Sequence, residues 1–296
     1  MQRHRIQRRR GATGRPPRRY GRRPRRAAEA GGLAGPYPRR HRDTDGRRTA
    51  APHLLPPPKP ENTPAATWLR RAGGPALICV EPFIPGAANL TYQRLAGALD
   101  GRYDVAAVPL PGYRDGERLP ASVDAVAEAL AAAVENCAEG EPFTLVGFST
   151  GGFAAHATAR CLEAGGIRPE AVVLLDSLSP GAIPEAASAD ILQEWLASQG
   201  EFWTHDDTGL TALGWYLDLF GRGWRPTGLT APVLLVEAAE QVPSAPEQGW
   251  AGDWPDLTAR TTTPGSHFTL LTEYVTRTAD TLTGLLDLHT TADAIG

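Results

Sequence analysis

The segment from Pro142 to Ala155 constrains the fold more than any other part of the chain, because it places three patterns in a fixed order. A short apolar run at 143–147 leads into Gly-Phe-Ser-Thr-Gly at 147–151, and an alanine-rich helical pattern follows. Small residues around Ser149 permit a turn sharp enough to hold the serine oxygen clear of a sheet. Because a strand precedes this turn and a helix follows it, we predict a nucleophile elbow centred on Ser149.

Short β-type runs alternate with helical patterns in the chain after residue 66. This alternation predicts an α/β fold, in which a mostly parallel sheet carries helices on both faces. The predicted strands are 75–80, 104–108, 143–147, 171–175, 232–236 and 257–262. The predicted helices are 90–99, 121–138, 152–164 and 268–287.

Residues 181–229 interrupt the alternation with two helical patterns, 187–199 and 209–220, that have no strand between them. We interpret this segment as a helical lid above the sheet. Its many aromatic residues individually fit the packing of lid helices, but as a group they favour a largely apolar substrate chamber. The residues predicted to contact substrate are Trp195, Trp203, Trp215 and Tyr216.

The first 66 residues have a composition of their own. Residues 1–48 hold 17 of the 29 arginines and only three acidic residues, and residues 49–66 hold six prolines. Such a basic, apolar-poor stretch buries too little surface to offset its ordering entropy, so we predict a disordered tail (1–66) that ends in a stiff, extended linker. The folded domain is predicted at 67–289 and a C-terminal tail at 290–296.

The arginine-rich tail has two interpretations. Its charge would suit an arm that binds nucleic acid or an acidic surface. Its arginines are not interleaved with aromatic residues in the way that base stacking requires, so we favour a linker or a wrongly extended reading frame and predict no nucleic-acid partner.

Composition also bears on the compartment. The chain contains no run of 18 apolar residues and no apolar N-terminal signal, so we predict neither membrane insertion nor secretion. Its three cysteines, Cys79, Cys137 and Cys161, lack Cys-x-x-Cys spacing and fit core thiols in a reducing compartment. We therefore expect a cytoplasmic protein without a metal site.

A serine hydroxyl is a poor nucleophile at neutral pH, so Ser149 needs a base within hydrogen-bond reach and an acid that orients the base. His267 is the best-placed base, because it directly follows the last predicted strand, in Pro-Gly-Ser-His-Phe at 264–268. Of the other histidines, His4, His41 and His53 lie in the tail or linker. His156 lies about 10 Å along the helix after Ser149. His205 lies in the lid, and His289 lies near the C-terminus.

Three carboxylates are candidates for the acid. Asp176 ends the predicted strand 171–175 and lies beside the elbow, at the sheet edge where active sites of open α/β folds are found. Glu237 and Glu240 follow the later strand 232–236 and also satisfy the chain order serine, acid, histidine. The residues alone favour Asp176 and leave the two glutamates open.

Acyl transfer through a serine also requires hydrogen-bond donors for the oxyanion. The backbone N–H of Thr150, at the start of the elbow helix, is one predicted donor. The second is predicted in the loop after strand 75–80, where Pro82 has no N–H, so the Phe83 amide is the candidate.

Several further motifs are spread over about 75–288: Tyr-Gln-Arg-Leu-Ala-Gly-Ala-Leu at 92–99, Val-Pro-Leu-Pro-Gly-Tyr at 108–113, the strand end at Asp176, Leu-Thr-Ala-Leu-Gly at 210–214 and Pro-Gly-Ser-His-Phe at 264–268. In these motifs the chain resembles one family: the terminal thioesterase domains of modular type I polyketide synthases, in the α/β-hydrolase superfamily. Phe148 stands where that family usually has histidine, and Glu-Pro-Phe-Ile at 81–84 replaces a smaller, glycine-containing stretch.

The resemblance implies an α/β-hydrolase fold with a catalytic triad of Ser149, Asp176 and His267, and a lid between the acid and the next strand. It also implies a function, namely release of a finished polyketide acyl chain by macrolactonisation or hydrolysis. The acyl chain would be presented on the phosphopantetheine of an acyl carrier protein in a synthase module, and no cofactor would be needed. A homodimer is compatible with this interpretation.

Two other functions remain open at this point. A free-standing editing (type II) thioesterase or a small-ester hydrolase would use the same triad on shorter acyl groups. A catalytically silent binding protein with this fold is the alternative from another class. It normally has a broken triad, whereas all three residue types are present here.

Overall fold

The computed structural model describes residues 63–84, 90–177, 207–221, 223–240, 254–255 and 257–293. The predicted tail up to residue 62 and the first lid helix, 187–199, lie outside these residues. The second lid helix, predicted at 209–220, is present as a helix at Asp207–Gly221.

The described residues form one seven-stranded sheet in the order β1-β3-β2-β4-β5-β6-β7. Only β1 is antiparallel to its neighbour, and the other five pairings are parallel. The strands are β1 (Thr67–Arg70), β2 (Ala76–Val80), β3 (Asp104–Val108), β4 (Phe143–Phe148), β5 (Ala171–Leu175), β6 (Val233–Glu240) and β7 (Leu257–Ser266).

Helices cover both faces of the sheet, as the sequence predicts. Alternate residues of β2 enter different clusters: Ile78 and Val80 pack on one face, and Leu77 and Cys79 on the other. The first face is covered by α2, α3 and α4, and the second by α1 and α5. These helices are α1 (Leu90–Ala98), α2 (Val123–Ala138), α3 (Gly151–Ala164), α4 (Asp207–Gly221) and α5 (Val275–Asp293).

The central strands end at a common level, and this alignment positions the site. Val80 of β2 pairs with Gly147 of β4, and Phe148 of β4 pairs with Leu175 of β5. Because the strands are parallel, the segments that follow them leave the sheet at the same edge. All residues of β4 and β5 are buried, as expected for strands covered on both faces.

Six strands were predicted from apolar runs and are confirmed, whereas β1 was missed. β1 has only four residues, none of them fully buried, so it carries no apolar run. The last helix was predicted from 268, but residues 267–274 form turns and α5 begins at Val275. Here the Thr269 hydroxyl accepts the Ser266 N–H at 2.8 Å, so a side chain competes with helical backbone bonds. α5 extends to Asp293, into the predicted tail.

No helix within the described ranges is long and apolar enough to cross a bilayer.

Candidate active site

Ser149 stands at a sharp turn between β4 and α3, as predicted. Its φ is +55°, in the left-handed region that residues other than glycine rarely adopt. The Ser149 N–H donates to the Leu175 carbonyl at 3.0 Å, which ties the turn to the end of β5. The strained conformation is thus held by the neighbouring strand, and it is the backbone geometry expected of a nucleophile elbow.

The glycines that flank Ser149 are required by close backbone contacts. A Cβ atom at Gly147 would lie 2.6 Å from the Gly151 carbonyl oxygen, and one at Gly151 would lie 2.7 Å from the Val80 carbonyl oxygen. Real Cβ atoms do not approach backbone atoms this closely, so any larger residue would displace α3 from the sheet. The Gly-x-Ser-x-Gly spacing is therefore a packing requirement of this turn.

Asp176 and His267 form a buried pair at the same edge. Asp176 directly follows β5, and its Oδ2 lies 2.7 Å from His267 Nδ1. The other carboxylate oxygen, Oδ1, accepts the Ala238 N–H at 2.9 Å. With both oxygens engaged, the carboxylate fixes the imidazole orientation and favours the tautomer that carries its proton on Nδ1.

The other two candidate acids lie elsewhere. Glu237 is buried and pairs with Arg260, whose Nη2 lies 2.6 Å from Glu237 Oε1. Glu240 is exposed at the end of β6. Of the three carboxylates considered from the sequence, Asp176 is the one in contact with His267.

Phe148, which precedes Ser149, stacks on the imidazole of His267. The ring centroids are 4.9 Å apart and the planes differ by 25°. The aromatic face buries one side of His267. At this position, where the similar family usually has histidine, phenylalanine thus contributes to holding the His267 imidazole.

Tyr92 is a site residue that sequence reasoning did not assign. It lies on α1, is completely buried, donates from its hydroxyl to the Val80 carbonyl at 2.7 Å and accepts the Phe148 N–H at 2.9 Å. One hydroxyl thereby joins the ends of β2 and β4 just before the elbow. Burial raises the pKa of Tyr92 well above its ordinary value, so the hydroxyl keeps the proton that it donates. Tyr92 begins the motif at 92–99, which contributed to the family resemblance, but the motif does not indicate which groups the tyrosine contacts.

The two predicted oxyanion donors lie next to each other. Thr150 is the N-cap residue of α3, with its backbone N–H at the helix start. The Phe83 N–H does not point into open space: it donates to the Thr150 hydroxyl oxygen at 2.8 Å. The Phe83 ring is completely buried between sheet and helices.

Aromatic side chains connect this loop to the lid helix α4. Phe83 lies 5.0 Å from Tyr216 and 5.1 Å from Phe220, measured between ring centroids. The Tyr216 hydroxyl donates to the Pro111 carbonyl at 2.8 Å, and Trp215 Nε1 donates to the Pro120 carbonyl at 2.8 Å. These contacts hold α4 on the connection between β3 and α2, and substrate contact at Trp215 and Tyr216 stays a prediction. Trp195 and Trp203 lie outside the described residues.

Cys79 and His156 are two other reactive side chains among the described residues, and both are buried. Burial, followed by the charge of Glu81, raises the pKa of the Cys79 thiol well above its ordinary value, which keeps it protonated. His156 is completely buried on α3, where Trp224 and Trp254 pack against it. Within the described ranges, no group of three or more His, Cys, Asp or Glu side chains is arranged to hold a metal ion.

Comparison with known proteins finds similar sequences. The family model of the thioesterase domain matches residues 75–199. The spectinabilin polyketide synthase system protein NorC of Streptomyces orinoci is 42% identical over 229 residues, which cover 76% of this chain and 10% of that protein. The erythronolide synthase EryA3 of Saccharopolyspora erythraea is 40% identical over 189 residues, which cover 62% of this chain and 6% of that protein. The chain thus spans a tenth or less of the length of these two relatives.

Solved structures share the fold. The thioesterase domain of NocB from the nocardicin cluster has a TM-score of 0.59 at 21% identity, over 75% of this chain and 99% of that chain. The type II thioesterase BorB from the borrelidin cluster has a TM-score of 0.56 at 23% identity, over 76% of this chain and 97% of that chain. Residues 75–199 thus match the thioesterase domain family, and the fold is that of the α/β-hydrolases. The two curated relatives, at 42% and 40% identity, are both polyketide synthase proteins.

Proposed function

We propose that this domain releases a finished polyketide acyl chain from an acyl carrier protein through an acyl-Ser149 intermediate. One observation carries the proposal: the 2.7 Å contact of Asp176 with His267, at the edge of the sheet where Ser149 occupies its strained turn. The similarity to polyketide synthase proteins supports a carrier-bound thioester as substrate. The proposed compartment is the cytoplasm, and the proposed partner is the carrier protein of a synthase module.

In the first half-reaction, Ser149 Oγ adds to the thioester carbonyl carbon while His267 Nε2 accepts the serine proton. Asp176 keeps the imidazole oriented and stabilises its positive charge. The carbon–sulfur bond then breaks, and the phosphopantetheine sulfur leaves with the proton from His267. An ester between the acyl chain and Ser149 remains.

In the second half-reaction, His267 removes a proton from the releasing nucleophile. Water gives the linear acid, whereas a hydroxyl group of the acyl chain gives a macrolactone. The nucleophile bonds to the ester carbonyl carbon, the tetrahedral adduct collapses with cleavage of the carbon–oxygen bond to Ser149, and Ser149 Oγ takes the proton from His267. The aromatic contacts of α4 with the Phe83 loop support an apolar chamber, in which exclusion of water favours the internal hydroxyl.

Free-standing editing is the second candidate function, because the type II thioesterase BorB shares the fold. An editing enzyme or a small-ester hydrolase would act best on short acyl groups. Comparison of kcat/KM for acetyl, hexanoyl and long polyketide-like thioesters separates the two: release of finished chains requires the highest value for the long substrate.

The decisive experiment treats the full chain with a seco-acid thioester and analyses products and protein by mass spectrometry. We expect a ring or a linear acid as product and a transient acyl mass on the peptide that contains Ser149. Ser149→Ala should abolish both, and Glu240→Gln serves as the matched surface control with wild-type turnover. Turnover by Ser149→Ala at the wild-type rate would contradict the proposal.

A further inference from the structure

The hydroxyl of Thr150 makes a contact that helix capping does not explain. A threonine at an N-cap usually accepts a hydrogen bond from an amide of the first helical turn. Thr150 makes no such capping bond to α3. Its hydroxyl oxygen instead accepts the Phe83 N–H at 2.8 Å, across 67 positions of the chain. The side chain is thus turned away from its own helix and toward the loop that follows β2.

The loop at 81–84 has no backbone donor left for an oxyanion in this structure. The Glu81 N–H donates to the Val108 carbonyl at 3.1 Å, and the Ile84 N–H donates to the Pro82 carbonyl at 2.7 Å. Pro82 has no N–H, and the Phe83 N–H is bound to Thr150. The second donor that acyl transfer requires must therefore come from a group other than these four amides.

A hydroxyl group can accept one hydrogen bond and donate another at the same time. Accepting the Phe83 N–H polarises the Thr150 O–H and makes it a better donor. Within the described part of the chain, no acceptor for the Thr150 hydroxyl proton is found. The residue is half-buried at the carboxyl edge of the sheet, next to Ser149, so this proton is available to a bound substrate.

We propose that the Thr150 side-chain hydroxyl is a catalytic oxyanion donor, oriented by the Phe83 amide behind it. When Ser149 Oγ bonds to the thioester carbonyl carbon, the π electron pair moves to the carbonyl oxygen. The Thr150 N–H and the Thr150 O–H both donate to that negative oxygen, and both protons stay on Thr150. The Phe83 amide then acts through the hydroxyl, not by direct contact. This inference rests on the proposed serine thioesterase chemistry.

Three variants of the full chain test the proposal. Thr150→Val removes the hydroxyl and keeps the shape, Thr150→Ala removes it with the methyl group, and Thr150→Ser keeps it. We expect kcat/KM for a hexanoyl thioester to fall about 10- to 100-fold in the valine and alanine variants, and to stay within about threefold of wild type in the serine variant. Thermal melting verifies folding, and if Thr150→Val does not fold, the alanine and serine variants decide.

The affinity of a boronic acid that bonds to Ser149 distinguishes a catalytic role of the Thr150 hydroxyl from a merely structural one. A merely structural role would leave this affinity unchanged. The tetrahedral adduct of the boronic acid places an oxygen where the oxyanion forms, so its affinity should fall by the same factor as kcat/KM across the three variants. Affinity for the unreactive amide analogue of the substrate should not change. The proposal would be overturned if Thr150→Val and Thr150→Ala turned over the thioester as fast as wild type or faster. It would also be overturned if these variants lost turnover but kept the wild-type affinity for the boronic acid.

Failure of the proposed function gives a different result. In that case the wild-type protein itself would neither turn over the thioester nor form the boronate adduct at Ser149. Wild-type turnover together with indifference to Thr150→Val and Thr150→Ala would refute the role of Thr150 alone.

Discussion

At the scale of single residues, the site stores strain at two of the three proposed triad positions. Ser149 and Asp176 have φ values of +55° and +42°, and each such conformation costs on the order of 1 kcal/mol or more for a residue other than glycine. Both are held by strand ends: the Ser149 N–H donates to Leu175, and the Asp176 N–H donates to Val236 at 2.7 Å. The sheet therefore maintains a geometry that an isolated turn would not keep.

The role of Asp176 is tested by Asp176→Asn, which keeps the size of the side chain and removes its charge. An asparagine amide that donates toward Nδ1 would favour the wrong tautomer of His267, so we expect kcat/KM to fall about 10³- to 10⁴-fold. Steady-state kinetics with a hexanoyl thioester measures the effect. A variant that retains a tenth of wild-type activity would show that another group orients the base.

The role of a residue in the site could be predicted from the sequence where a local pattern determines that role. It could not be predicted where the role depends on a contact with a distant segment of the chain. Ser149 and His267 follow from the motif and from position after a strand. The bond between Phe83 and Thr150 depends on which way a threonine side chain turns between two segments far apart in the chain. The bridging role of Tyr92 has the same cause: its partners are backbone groups of two strands, which no side-chain pattern marks.

At the scale of elements, burial explains which parts were predictable. Interior strands such as β4 and β5 are buried at every position and read as apolar runs. The edge strand β1 lacks that signal. The start of α5 was predicted too early because residues 268–274 have a helical apolar pattern, while hydroxyl groups at Ser266 and Thr269 hold the chain in turns.

The attachment of α1 to the sheet is tested by Tyr92→Phe. Loss of the hydroxyl leaves the buried Val80 carbonyl and Phe148 N–H without this partner, so we expect a loss of about 1–3 kcal/mol in the free energy of unfolding. Thr158→Val is the matched control, because it removes a buried hydroxyl with one bond, to the Ala154 carbonyl. Urea unfolding compares the two, and a smaller loss in Tyr92→Phe than in the control would contradict the bridge.

The attachment of α4 is tested by Trp215→Phe, which deletes the hydrogen bond to Pro120 and keeps an aromatic ring. A looser lid helix should weaken binding of long acyl chains, so we expect KM for a long-chain thioester to rise about 3- to 10-fold and KM for an acetyl thioester to change little. Trp68→Phe on β1 is the control. Equal increases for both substrates would show that α4 does not line the acyl site.

At the scale of the whole molecule, three buried phenols limit stability at high pH. Burial, the largest cause, raises the pKa of Tyr92, Tyr113 and Tyr216 well above the ordinary value of 10.0. The unfolded chain therefore releases these protons first, so stability is intact below about pH 10 and falls as the pH rises above it.

A titration monitored by phenolate absorbance in the near ultraviolet tests this expectation. The chain has seven tyrosines, and we expect three of them to ionise only together with the loss of circular dichroism. If the unfolded chains aggregate, the absorbance and circular dichroism measured on return to neutral pH should differ from the values measured as the pH was raised. Reversible ionisation of all seven tyrosines near pH 10, with the circular dichroism preserved, would contradict the burial of these hydroxyls.

The dependence of the site on several strands also ties its assembly to folding of the whole sheet. Phe83, Ser149, Asp176 and His267 follow four different strands, β2, β4, β5 and β7, and they meet only when those strands, with β6 between β5 and β7, form one sheet. No fragment of the chain that lacks one of these strands can assemble the set. Covalent labelling of Ser149 by a reactive phosphonate therefore counts fully assembled molecules, and its denaturant midpoint should coincide with that of global unfolding.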